Sequence, residues 1–558
     1  MGNMRRVERH QGGPGTGKTR LILDRLSETK VEFGLSVHEI GLCTFTRAGR
    51  QELSERAAAE WGCDPETLTK HGWFRTAHSV AHRQCGIEDG QLLEGSEGAE
   101  WIGNAVGGKV ATRFDPRSRE ISFVSGDGDD GLTLGLKAWD LARANMTSLK
   151  SVLRRWAVAG ERVPEESGVR RHVERYEQAK RREGRADYTD IIARFAGIKF
   201  EIDGPQQIDP EGEVPASIRA LAIDEAQDSS VLVDRVCRRL AESPFIERVF
   251  LSGDAYQSIY SFNGSDYRLF LNWDAEEFVM PRSYRCPPAV MELGERCIRK
   301  MRHGYRDRHI QPASHSGHVR RAGSPEQAIA AIRPDESVLI LGRCGFALHE
   351  YEDILRSRGI PYTWIDRVGS AAEMSGYACL WGLQHGKVVH HDDWANAISM
   401  IQVADKEVGQ LLVRGEKQAW KKGLRSQVDI IRPVDEDFAL AGATETFAQI
   451  VREGRWPAFL DKSHAKKAAN WIEAAKKFGP ETACNPKVRL STIHGAKGCE
   501  GDTVILSTIS SPAVERGRQA IDELHDEECR VNYVAVTRAR RDLWIVNDGD
   551  KYAIEIPA

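Results

Sequence analysis

Short apolar runs and longer amphipathic stretches take turns along this chain, and their order predicts its elements. Arg5 to Gln11 is a β-compatible segment, the glycine-rich run Gly12 to Lys18 follows, and Arg20 to Leu26 carries apolar residues at helical spacing. Strand, loop, helix is the predicted order. A similar unit spans Glu39 to Arg56, where Ile40, Leu42 and Phe45 lead into an Ala- and Glu-rich helix. Residues 83–186 lose the strand signal: a Gly/Asp cluster at Ser125 to Gly131 precedes two long helical patterns, Leu132 to Ala159 and Gly168 to Gly184. Short apolar strands return at Leu221 to Ile223, Arg248 to Leu251 and Ser337 to Leu341. Residues 366–486 are again helical and charge-rich, as in Ala465 to Lys477, before strands resume at Val488 to Ser491, Thr503 to Ser507 and Leu543 to Val546. Alternating strands and helices predict two α/β regions with parallel sheets, each carrying one mainly helical insertion.

Composition changes little in that picture. At roughly 150 residues per domain, a chain of 558 residues holds about three or four folding units. Hydrophobic residues at 41% and charged residues at 29% exclude disorder and collagen-like repeats, and the longest apolar runs fall far short of the ~18 residues of a membrane span. Seventy-eight Lys and Arg against 82 Asp and Glu leave a net charge of −4, so any contact with a polyanion must be local. Eleven cysteines without a C-x-x-C pair argue against a disulfide framework or zinc ribbon and predict a reducing, cytosolic setting.

Chemistry enters at Gly12-Gly13-Pro14-Gly15-Thr16-Gly17-Lys18-Thr19, which satisfies G-x-x-x-x-G-K-[ST] in full. Its glycines let backbone N–H groups surround phosphate oxygens, Lys18 reaches the outer phosphates, and Thr19 is placed to ligate Mg²⁺. Asp224 and Glu225 directly follow a buried-type strand, where one carboxylate can hold a metal and the other orient an attacking water. Together the two motifs predict ATP and Mg²⁺ as cofactors.

At this point the chain resembles superfamily 1 helicases of the UvrD/Rep type. Thr44-Phe45-Thr46-Arg47-Ala48 and Thr76-Ala77-His78-Ser79 are similar to two DNA-contacting segments of that family, and Asp187-Tyr188-Thr189-Asp190 to the element that follows its first insertion. Gly253 to Gly264 resembles G-D-x-x-Q-S-I-Y-x-F/W-R-G, Ser283-Tyr284-Arg285 resembles N-Y-R, and Leu355 to Tyr362 resembles L-R-x-x-G-I-P-Y. Thr492 to Glu500 is similar to T-x-H-x-A-K-G-L-E, and Tyr533 to Ala539 to Y-V-A-x-T-R-A.

The resemblance implies two RecA-like P-loop NTPase domains. The first comprises residues 1–82 and 187–279 with insertion 83–186, and the second residues 280–365 and 487–558 with insertion 366–486. It implies Lys18, Asp224, Glu225, Gln257, Arg285 and Arg538 as catalytic, with Thr19 and Asp224 on the metal. Nucleotide would be held by residues 12–19 with Arg20, by Tyr284 on adenine and by Glu500 on ribose. Phe45, Thr76, His78, Tyr260, Phe262, Asn263, Thr492 and His494 would touch DNA. The implied activity is ATP-dependent 3′→5′ movement on single-stranded DNA and at its junctions with duplex, by a monomer or weak dimer. Two further readings stand beside it: a DNA-stimulated ATPase that moves or strips proteins without separating strands, and an ATP-gated binding module of a larger complex. RNA remains open as the track.

Three departures matter. Only eleven residues precede Gly12, short of the family's upstream Gln segment, which predicts weaker discrimination among NTPs. Asn263 stands where the family often has Arg, and Cys499 where it has Leu. Elsewhere, His315, His318 and His390-His391-Asp392-Asp393 lack a second cluster at zinc-ligand spacing. Asp127, Asp129 and Asp130 lack the Glu of a calcium loop, and Lys180-Arg181-Arg182-x-x-Arg185 reads as a solubilising helix face, with contact to phosphates as the alternative.

Overall fold

Two six-stranded sheets organise the protein, seen here in a computed structural model that describes residues 6–45, 47–88, 90–114, 121–123, 131–333, 336–365, 370–425, 428–547 and 552–557. The chain divides into two compact units: Met1–His318 with Ser511–Arg538 and Ile556–Ala558, and Val319–Ser510 with Ala539–Glu555.

In the first unit the sheet is built from β1 (Arg6–Gln11), β2 (Ile40–Thr44), β3 (Trp73–Thr76), β4 (Ala220–Ile223), β5 (Arg248–Gly253) and β6 (Glu276–Val279). Their order across the sheet is β6-β1-β5-β4-β2-β3, all parallel. Period-two alternation sorts side chains to two faces. Ile40, Leu42, Ala220, Ala222 and Phe250 join the core on one side, while Cys43, Leu221, Ile223, Val249 and Leu251 join the core on the other. β1 is polar yet buried, because its side chains are paired: the Arg9 guanidinium donates to the Leu271 and Trp273 carbonyls and meets Glu277 at 2.9 Å. The helix α1 (Lys18–Phe33) then packs Ile22, Leu23 and Leu26 on the sheet.

The second unit repeats the plan. β7 (His318–Ala322), which starts at the unit boundary, β8 (Val338–Gly342), β9 (Tyr362–Trp364), β10 (Val488–Thr492), β11 (Gly501–Ser507) and β12 (Ala539–Val546) lie in the order β7-β12-β11-β8-β10-β9. Pairs from β12 through β9 are parallel. The expected α/β class with two parallel sheets is therefore observed, and both insertions are mainly helical. The first has its own core around Trp139, Leu136, Val173 and Tyr176, the second around Trp394, Phe447, Trp456 and Trp471.

The expected continuous helix Leu132 to Ala159 is in fact two, Leu132–Ala144 and Leu149–Val158. Met146 sits at φ 50°, which no helix accommodates, and Ser148 caps the second helix by accepting from Ser151 N–H. Residues 125–130, including Asp127, Asp129 and Asp130, lie outside the described residues, as do Thr46 and Arg5. Among the described residues no helix is long and apolar enough to cross a membrane.

Lys180 is not part of a solubilising face. It is buried with Arg143 among Asp187, Asp190 and Glu177, its ammonium 2.8 Å from Asp187 and 2.7 Å from Asp190. Burial works against these charges, yet Arg143 and Lys180 hold the Asp187 carboxyl far below the usual range.

Candidate nucleotide site and nucleic-acid face

The carboxyl ends of β1, β4 and β5 lie side by side, with Gln11 opposite Gly253 and Ile223 opposite Leu251. The P-loop, the Asp224-Glu225 pair and Asp254 therefore emerge at one edge, where open α/β sheets place ligands. Gly15 and Gly17 adopt φ 67° and 84°, bending the loop into α1, whose first turn carries Lys18, Thr19 and Arg20. The Lys18 ammonium donates to the Gly13 carbonyl at 3.3 Å. Arg20 is solvent-facing, 3.7 Å from Asp24.

The acids are set apart by environment. Asp224 is buried and accepts from the Ser252 hydroxyl; burial, then the neighbouring Glu225 charge, pushes its carboxyl up to about 6. Glu225 takes φ 53°, unusual for a residue with a side chain, and its carboxylate accepts from Gln227 Nε2 at 2.6 Å. Gln227 in turn accepts from the Asp254 N–H at 2.9 Å, tying the ends of β4 and β5 together.

Gln257 and Arg538 meet in the first unit. The helix α2 (Asp522–Val536) leads to Arg538, fully buried, whose Nη2 donates to Gln257 Oε1 at 3.0 Å. Gln257 Nε2 donates to Asp254 Oδ2 at 2.6 Å, and Asp254 Oδ1 accepts from Arg308 at 2.6 Å. Arg308 also donates to the Tyr533 hydroxyl at 2.8 Å. A carboxylate on one side and a guanidinium on the other fix which way the Gln257 amide points. Burial disfavours the Asp254 carboxylate, but Arg308 and Lys18 more than offset it and hold its carboxyl below the usual range. Arg285 lies against the P-loop: the Tyr284 N–H donates to the Gly15 carbonyl at 2.8 Å, and Ser283 Oγ to the Pro14 carbonyl at 2.7 Å. The Tyr284 ring is 73% exposed, available for stacking.

On the same unit, Phe45 follows β2 and Thr76 ends the neighbouring β3, with Thr44 and Thr76 in register. Thr76 is the N-cap of helix Ala77–Cys85, and His78 on that helix meets Tyr188 edge-on at 5.8 Å. Tyr260 and Phe262 form an edge-on pair at 5.9 Å, Phe262 and Asn263 being exposed. Thr492, His494 and Glu500 belong to the second unit. There Thr492 Oγ1 accepts from the Gly495 N–H at 3.1 Å, His494 is half-buried, and the Glu500 carboxylate is ion-paired with Arg540.

Sequence reasoning passed over Ser252, Gln227, Asp254, Arg308 and Tyr533. Asp254 and Tyr533 stand inside quoted motifs and Gln227 two residues after Glu225, but Arg308 lies in a stretch with no pattern, and only its burial against Asp254 reveals it. Elsewhere, His390, His391 and Asp392 do gather, with ligand atoms within 4.8 Å of one another, on the exposed start of a helix. Glu177, Asp187 and Asp190 also gather, but Lys180 and Arg143 fill the space between them.

A phosphate-cradling loop, a buried acid and a buried guanidinium converging at one sheet edge mark a P-loop NTPase. The profile of the UvrD/REP helicase N-terminal domain matches residues 11–90 and 135–277, and that of the UvrD-like helicase C-terminal domain residues 466–548. The chain belongs to the UvrD/Rep helicase family. It is similar to the ATP-dependent DNA helicase UvrD2 of Mycobacterium tuberculosis, 24% identical over 563 residues that cover 95% of this chain and 74% of that protein. The ATP-dependent DNA helicase srs2 of Schizosaccharomyces pombe is 21% identical, with 96% and 69% covered. Among solved structures, the arterivirus nonstructural protein 10 helicase is 11% identical with a TM-score of 0.32; the match covers 98% of this chain but only 61% of that one.

Proposed function

We propose that the protein is an ATP-driven motor that moves 3′→5′ on single-stranded DNA and separates duplex at single-strand junctions. The observation that carries this reading is the placement of Gln257, bonded to Asp254 and Arg538 at the phosphate edge and only three residues before Tyr260. Membership in a helicase family, and relatives described as ATP-dependent DNA helicases, support the substrate assignment.

In this reading the P-loop N–H groups and Lys18 bind phosphate, and Tyr284 stacks on adenine. Thr19 and Asp224 offer the hard oxygen donors that suit Mg²⁺, which when bound offsets charge on the phosphate oxygens. Glu225, oriented by Gln227, takes a proton from the attacking water. Arg285 and Arg538 stabilise the charge that develops, an effect on the order of 10³ to 10⁵ in rate for such arginines. Tyr260, Phe262 and Phe45 stack on bases without reading sequence, Thr76, His78 and Asn263 contact the strand beside them, and Thr492 and His494 are DNA contacts of the second unit taken by itself. The two motor domains are 1–82 with 187–279 and 280–365 with 487–558, each supplying one parallel sheet. Residues 280–318 and 511–538 pack within the first unit, which supports a role for Arg285 and Arg538 at the nucleotide.

Strand displacement on a 3′-tailed duplex tests this reading, with Lys18→Ala as the inactive control. Displacement by the unmodified protein alone is expected. ATP hydrolysis without displacement would leave a translocase that does not unwind, and displacement from a 5′ tail only would overturn the polarity.

A further inference from the structure

The helix α2 does more than deliver Arg538. Two of its side chains and Arg538 just past its end hold successive points of the segment 257–261: Arg538 donates to Gln257 Oε1, Arg530 Nε donates to the Ser258 carbonyl at 2.7 Å, and Glu527 accepts from both the Ser261 N–H, at 3.1 Å, and the Ser261 hydroxyl. Glu527 and Arg530 are three residues apart and so share a helix face. Arg530 is braced over the Tyr267 ring at 4.7 Å. Ser261 opens the short 3₁₀ turn Ser261–Asn263, so Glu527 caps the turn that carries Phe262 and follows Tyr260. From Glu527 to Arg538 the helix and its end extend about 16 Å at 1.5 Å per residue, long enough to connect the phosphate edge to the aromatic pair.

We propose that Glu527 is a positioning residue that couples ATP hydrolysis to movement on DNA, by fixing the Tyr260/Phe262 turn to the helix that carries Arg538. The inference rests on the motor reading above. Glu527 is buried, and burial, only partly offset by Ser261 and Arg530, raises its carboxyl above the usual range. Its partners are a backbone N–H and a hydroxyl rather than a directly bonded cation, so the contact is directional and is lost when the turn moves. Any displacement of Gln257 by the nucleotide state is thereby shared by the residues that face the track. Cutting the Glu527 contact should leave the phosphate edge intact and free the turn.

The test compares the unmodified protein with Glu527→Ala, Glu527→Gln and Ser261→Ala in three measurements: ATPase without DNA, ATPase with saturating single-stranded DNA, and base pairs opened per ATP. Expected for Glu527→Ala is a basal rate within about twofold of the unmodified protein and a DNA stimulation reduced about tenfold or more, with Glu527→Gln intermediate. Ser261→Ala, which removes one hydroxyl from a half-buried side chain, should lose stimulation about threefold and keep its thermal stability, so it decides the matter if Glu527→Ala folds poorly. Undiminished stimulation and coupling in Ser261→Ala and in the folded Glu527 variants overturns the proposal. A basal rate that falls in step with the stimulated rate overturns it as well, because the defect then lies in the chemistry. If DNA fails to stimulate even the unmodified protein, the motor reading fails first and the clamp with it.

Discussion

Gly15 and Gly17 share a left-handed backbone but differ in what surrounds them. A Cβ on Gly15 would lie 2.2 Å from the Arg285 Cβ, whereas one on Gly17 meets nothing within 4 Å. In the nucleotide-free protein, Gly17→Ala should therefore cost only the backbone strain of about 1–2 kcal/mol, and Gly15→Ala clearly more, because Arg285 must move. Thermal melts of the two variants check the order. Arg308 offers a second case. Replacing it with Met leaves Asp254 buried without its hydrogen-bonded cation, with only the more distant Lys18 charge to offset burial, a loss of about 3–5 kcal/mol for a broken buried pair. Chemical denaturation should show it, and ATPase turnover should fall because Gln257 loses its anchor. Asp224 gives a pH dependence. Its carboxyl is raised to about 6 in the folded protein, so its proton stabilises the nucleotide-free fold increasingly as pH falls from 7 towards 4, and that contribution is lost as pH rises through 6. If Asp224 holds Mg²⁺ as proposed, the same proton competes with the metal. Magnesium titrations should give weaker affinity at pH 5.5 than at 7.5, and Asp224→Asn should abolish the difference along with most of the affinity.

At the scale of elements, the buried cluster of Arg143, Lys180, Asp187, Asp190 and Glu177 joins the first helical insertion to the helix Tyr188–Ala196, where Asp187 and Asp190 form a reciprocal cap. Removing either cation leaves Asp187, Asp190 and Glu177 to share the other, an excess of buried negative charge, so Arg143→Met or Lys180→Met should each destabilise the protein by about 3–5 kcal/mol. Limited proteolysis should then cut sooner within 83–186 than in the unmodified protein. The cluster was only half legible in the chain. Asp187 and Asp190 stood out in the segment that resembles the family element after the first insertion, but Lys180 looked like one member of a solvated basic run, because a helical sequence does not reveal which of its charges faces a neighbouring helix. Met146 is similar. Nothing in the periodicity of residues 132–159 marks a break, and the packing of Gly264 against Ala144 and Asn145 is a contact made over a hundred residues away in the chain.

The whole molecule carries a net charge of −4, and that limits how it holds a polyanion. If its grip relies on stacking by Tyr260 and Phe262, DNA affinity should fall with salt at a slope of only about −2 to −4, corresponding to few displaced counterions. Tyr260→Ala and Phe262→Ala should each weaken binding by about 1–3 kcal/mol while leaving that slope unchanged. Fluorescence anisotropy of a labelled oligonucleotide between low and moderate salt measures both quantities. A steep slope would mean that local basic groups, rather than the aromatic pair, dominate the contact.

The sequence by itself determined the fold class and the family, and it predicted the chemistry of the phosphate edge. Apolar strands bounded by Gly or Asp, and a P-loop that needs its glycines at fixed short spacing before Lys18, are local constraints written in near-adjacent residues. It also supplied Gln257, Arg285 and Arg538 through resemblance. What only the tertiary structure decided is which distant groups share a hydrogen bond: Arg308 with Asp254, Gln227 with the end of β5, Lys180 with Asp187, and Glu527 with Ser261. Each of these pairs depends on burial. A charged side chain reads as solvated until the chain folds around it, and only then does the cost of an unpaired charge dictate its partner.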